Sequence, residues 1–248
     1  MVSKLTIEKK IDTVEKETER MNKQRNIQTI APFLADDFVD SEKPIFDLDK
    51  YTRFLNQNSD RLGTYKKYLI CKLHDSWVID IKQGNDKLEI QLNDFSTAVF
   101  ADTLIGKYKL QVDSDNISFP LTIEFSGDLV VEYNSVDRDG SLYSIKPIGL
   151  DNYLYEQVTK LDDERIEIAF QFWKSNLKGR QGERIIVIVS AKNLTITENQ
   201  DNAWTEVFGH EYDERYEYFK QQFDSDIFVS DHNECEKLID EIEKKMIR

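Results

Sequence analysis

Five apolar residues in strict alternation, Ile117, Phe119, Leu121, Ile123 and Phe125, set the strongest constraint on what this chain can become. A two-residue period puts all five side chains on one side of an extended strand, and no helix can do the same. The pattern recurs. Leu69, Cys71 and Leu73 alternate, then Trp77, Ile79 and Ile81, then Leu88, Ile90 and Leu92 after the turn signal "QGND". Leu129, Val131 and Tyr133 come after "SGD", and "DRDG" turns the chain into "SLYSI". Further on come Ile166, Ile168, Phe170 and Phe172, then Ile185, Val187 and Val189 beyond the loop "NLKGRQGE", and finally "NLTITE". These runs predict about eight strands. Most of the connections are too short for a helical crossover, so the sheet should be largely antiparallel.

Helical periods flank the strands. Ile7, Ile11, Val14, Thr18 and Met21 space a thin apolar stripe over residues 4–28, and Pro32 breaks the helical pattern beyond it. Asp47 is placed to cap a helix whose face is Leu48, Tyr51, Phe54 and Leu55. Ser96 is the expected cap of a short helix carrying Ala98, Ala101, Leu104 and Ile105 and ending near Gly106. Asp201 suits the start of "NAWTEVFG", and Tyr212, Tyr216, Phe219 and Phe223 form a second stripe. Asp231 is placed to cap the last helix, with Cys235, Leu238, Ile239, Ile242 and Met246 on its buried face. The expectation is one α+β domain over 1–248. It has helical regions at 1–58 and 201–248, packed on mainly strands and one short helix between 63 and 198.

Charge narrows the partners. The formal net charge is −14, which disfavours nucleic acid and anionic membrane surfaces and suits a basic protein. The imbalance is greatest at 201–248, where six Lys/Arg face fourteen Asp/Glu. Two cysteines make no disulfide framework, the N-terminus has no apolar signal region, and no run approaches a membrane span. A reduced, cytoplasmic setting is expected.

Cys71-x-x-His74 and His232-x-x-Cys235 mirror one another, and such spacing can present two ligands to one zinc ion. His232 and Cys235 would share a helix face, whereas residues 71 and 74 of a regular strand point apart. Both cysteines also fall in phase with apolar stripes, as small core residues do. His210 and Glu211 open an HExxH-like stretch, but Glu214 occupies the place of the second histidine. An acid/base set of His210, Glu211 and Glu214 competes there with acids that simply complement a helix start. Asp137, Asp139 and Gly140 evoke a calcium loop, yet Lys146 stands where the closing acid is needed, so "DRDG" reads as a hairpin turn. Trp173 falls out of phase with its strand's apolar set, so it is either an outward binding anchor or a cover for the sheet's other face.

No nucleophile elbow, phosphate loop or dinucleotide fingerprint occurs, and no cofactor is expected. The leading expectation is a non-enzymatic protein-binding module engaging a basic partner, a profile shared by immunity and antitoxin-like proteins. The competing class is an enzyme with an unsignposted site, such as a metal-assisted hydrolase.

Overall fold

The computed structural model describes residues 25–35, 46–70, 72–110, 118–175, 182–199, 203–204, 214–223 and 231–246. The strands are β1 (Trp77–Gln83), β2 (Lys87–Asn93), β3 (Pro120–Ser126), β4 (Val130–Val136), β5 (Leu142–Ile145), β6 (Asn152–Leu161), β7 (Ile166–Lys174), β8 (Glu183–Ala191) and β9 (Asn193–Glu198). They form one sheet in the order β5-β4-β8-β7-β6-β1-β2-β3-β9, and every pairing is antiparallel. The helices are α1 (Ile27–Ile30), α2 (Pro32–Ala35), α3 (Leu48–Gln57), α4 (Ser59–Leu62), α5 (Phe95–Tyr108), α6 (Glu214–Phe223) and α7 (His232–Met246), with a 3-10 segment at Gly63–Tyr68. The fold is α+β, and among the described residues no helix is long and apolar enough to cross a membrane.

The sheet curls over its own core. Alternate residues of β2 and β3 (Leu88, Ile90, Leu92, Leu121, Ile123, Phe125) share one apolar cluster with those of β7 and β8 (Ile166, Ile168, Phe170, Phe172, Ile185, Val187, Val189). Phe125 meets Phe170 edge-on, with 5.8 Å between ring centres. Each such burial is worth roughly 1.5–3 kcal/mol. One margin of the curl is a covalent corner. β8 runs into β9 through Lys192 alone, yet β8 pairs with β4 and β7 while β9 pairs with β3. Gly127 packs against this corner: its carbonyl accepts from the Lys192 N–H at 2.9 Å, and its φ of +80° suits glycine. The other margin is a seam, where β6 and β1 share the single pair Trp77–Asn152.

Two further clusters flank this core. Ile186 and Ile188, between the inward residues of β8, pack outward with Ala169 against Ile27, Ala31, Leu34 and Ala35 of the α1–α2 region. The run "IIVIV" is therefore buried on both faces, which is why it is unbroken by polar residues. The α5, α6 and α7 faces meet around Phe100, Phe119, Trp204, Phe219, Phe223, Cys235, Ile239 and Ile242. The C-terminal helices thus reach the sheet through α5 and Phe119.

Several local expectations need correction. Leu69, Ile70, Lys72 and Leu73 are not in a strand. Tyr65, Tyr68, Leu69 and Leu73 are buried from a 3-10 segment and the turns after it, and Ile70 and Asp75 have φ of 64° and 63°. The Ile70 N–H donates to Glu156 Oε1 at 2.8 Å and not to a ladder. The predicted helix 4–28 lies mostly outside the described residues; of its end, Arg25 and Asn26 are not helical, and Ile27 and Gln28 belong to a separate short helix, α1. Asn26 is extended, bridges Ser141, and caps α1 by accepting from the Gln28 N–H at 2.9 Å. α5 is capped by Asp94 and not Ser96, because Asp94 accepts from both the N–H and the hydroxyl of Thr97, at 3.2 and 2.6 Å. It runs past Gly106 to Tyr108, with Lys109 left-handed behind it. β6 is missing from the predicted strands because register shifts at Tyr153/Tyr155 and Val158/Lys160 break its two-residue period. Asp47 does cap α3, and Asp231 accepts from the Glu234 N–H at the start of α7. Residues 201–202 and 205–213 lie outside the described residues.

Candidate docking edge

β1, like β6 across from it, differs from the other interior strands of the sheet. It pairs with β2 along its whole length, but with β6 only at Trp77. There the Val78 N–H donates to Asp151 O and the Tyr153 N–H to Ser76 O, both at 2.8 Å. Beyond that point no strand among the described residues covers this margin of β1. The ladder fixes which groups it presents. The Gly84 N–H donates to Lys87 O, so by alternation Lys82 and Asp80 bond towards β2. The main-chain groups of Ile81 and Gln83 therefore face away from it.

A bulge at Ile79 sets the side chains. With one extra residue between Val78 and Asp80, Val78 and Ile81 both pack on the core, while Trp77 and Ile79 stay more than half exposed, at 56% and 52%. Beside the open margin lies a groove of about 380 Å³, walled by Val78–Ile81 and Gln83 on one side and by Tyr133 and Pro147–Leu150 on the other. Its carboxylate, that of Asp80, is 3.5 Å from Lys82. An open strand margin, two exposed apolar side chains and an adjoining groove of mixed polarity together suit an added strand. Natural sheets usually cover or charge such margins.

The residues singled out by sequence fall elsewhere. His74 is half-buried, with Nδ1 3.0 Å from Asp75 and its ring 4.6 Å from that of Tyr155. His232 sits at the start of α7, with Nδ1 2.9 Å from the Thr103 hydroxyl and Nε2 3.5 Å from Asp102. Cys235 is buried one turn on, and burial pushes its thiol up to about 11. These contacts of His74 and His232 have no residue in common. Cys71, His210 and Glu211 lie outside the described residues, and Glu214 is placed only as the first residue of α6. No group of three or more His, Cys, Asp or Glu suited to a metal ion occurs among the described residues.

Trp173 is half-buried at the end of β7, where Gly182 leaves no room for a Cβ, since one would lie 2.5 Å from the indole. The more exposed tryptophan is Trp77. Its two-residue spacing groups it with Ile79 and Ile81 on one apolar face, an arrangement that the bulge prevents. No protein-family model, curated protein or solved structure matches this chain.

Proposed function

We propose that this protein is a non-enzymatic protein-binding module that takes an extended segment of a basic partner along the open margin of β1. The observation that carries the reading is the one-pair contact of β1 with β6, which leaves outward main-chain groups beside exposed Trp77 and Ile79. Main-chain bonds would supply affinity, and the groove would select alternate side chains of the partner. The net charge of −14 favours a basic protein and speeds its encounter. A cytoplasmic setting fits the free, buried thiol of Cys235.

The test places a photo-cross-linker at Trp77 and captures partners at low salt with the otherwise unchanged chain, Gln83→Pro and Ile79→Lys. Proline at 83 removes an outward N–H and spares the β2 ladder. A stoichiometric basic protein cross-linked at β1, and depleted in both variants, is the expected result. No partner, or equal recovery with all three proteins, refutes the reading.

A further inference from the structure

A second cavity, of about 540 Å³, lies between α3 and the 3-10 segment, away from the β1 margin. Its lining combines Lys66, Lys67 and Lys72 with Thr52, Asn56 and Thr64, and its apolar part is Leu55, Leu69 and Ile70. Among the described residues no carboxylate lines it. This is unusual in a chain of net charge −14, and the local sequence shows why: residues 61–72 hold Arg61 and three lysines and no acid.

The cations are not equivalent. Lys72 is buried, its Nζ donating to Phe223 O at 3.3 Å and lying 5.2 Å from that ring, so it ties the cavity wall to the end of α6. Lys67 pairs with Glu198, which also accepts from the Tyr68 hydroxyl, and Nζ of Lys67 lies 4.9 Å from the Tyr68 ring. Lys66 and Lys67 are both half-buried, on consecutive positions of the 3-10 segment, and Thr64 is exposed beside them. The floor is held rigidly. Ile70 is β-branched yet left-handed, a conformation that costs roughly 1–2 kcal/mol, and its N–H is anchored on the buried Glu156. Burial keeps that carboxyl largely protonated at neutral pH, so it places no full negative charge beneath the cavity.

We propose that this cavity binds a small organic phosphate, its headgroup on Lys66, Lys67 and the Thr64 hydroxyl and its apolar body against Leu55 and Leu69. Several separate donors suit a multiply charged, many-oxygened headgroup, and the volume lies in the range of small-molecule sites. Neither this cavity nor the β1 margin depends on the other.

Phenyl phosphate is the probe, with inorganic phosphate and phenol as comparators that each lack one half of the ligand. Binding is followed by calorimetry and by amide shifts in a labelled sample. The expected result is that phenyl phosphate binds more tightly than either comparator and shifts the amides of 63–70. Lys66→Gln should weaken it about tenfold, the size of one lost charge contact. Thr64→Glu, which adds a negative charge at an exposed position, should weaken it at least as much, and Lys82→Gln on β1 should leave it unchanged. Absence of binding, shifts centred elsewhere, or wild-type affinity in both Lys66→Gln and Thr64→Glu overturns the proposal.

Discussion

Replacing Glu156 by glutamine should make the protein more stable, and increasingly so as the pH rises. Glu156 is buried beneath Ile70, accepting from the Ile70 N–H at 2.8 Å and from the Tyr153 hydroxyl at 2.5 Å. Those two bonds favour the charged form, but loss of water outweighs them and raises the carboxyl from 4.5 to about 8. Tyr65 and Tyr153 are raised well above the ordinary phenol range by the same burial, so they remain neutral. Between pH 4.5 and 8 the folded protein therefore holds a proton that the unfolded chain releases. The associated stability is fully present below pH 4.5 and is lost as pH climbs through 8. The difference of 8 − 4.5 = 3.5 pH units corresponds to about 5 kcal/mol. Glutamine can accept from Ile70 and donate to the Tyr153 oxygen without titrating. Urea and thermal melts of both proteins from pH 5 to pH 9 give the measurement. The two should be close at the acid end and separate by up to about 1.4 kcal/mol per pH unit. By pH 9 Glu156→Gln should melt higher by on the order of 10 °C for a chain of this size. Parallel stability curves for the two proteins would refute the reasoning, since every other titrating group is common to both.

Three further outcomes can be checked directly. Asp47→Ala removes the acceptor for the Lys50 N–H at the start of α3 and should cost about 1 kcal/mol in urea titration, whereas Asp47→Ser should recover most of it. Lys109→Gly relieves a left-handed, exposed residue behind α5 and should stabilise the fold by about 1 kcal/mol in the same titration. Cys235, buried and with its thiol raised to about 11, should resist iodoacetamide at pH 8 in the native protein and react readily once urea unfolds it, as mass spectrometry would show.

The fold is legible in the sequence wherever period and capping are regular. β2, β3, β7 and β8 each keep an unbroken two-residue apolar rhythm, and "QGND" and "DRDG" correctly mark the β1–β2 and β4–β5 hairpins, with Gly140 left-handed at the second. Where geometry departs from the ideal, the rhythm misleads. Two bulges hide β6, and Leu69 and Leu73 are buried from turns although their spacing also fits a strand. The candidate site depends on such departures. The bulge at Ile79 turns Trp77 outward, and whether β1 meets β6 is decided by residues 75 positions apart, which no local pattern encodes. The lysine-lined cavity does leave a trace, the acid-free stretch 61–72, which the overall charge of −14 obscures.

The two margins of the curled sheet differ in mechanical strength. At Lys192 the halves are joined by the polypeptide itself, so parting them there means straining covalent backbone. At the seam, two main-chain hydrogen bonds, from Val78 to Asp151 and from Tyr153 to Ser76, hold β1 to β6. The molecule is thus bound like a book, with Lys192 as its spine and Trp77 at its fore-edge. Any load that pries the halves apart will open it beside the tryptophan.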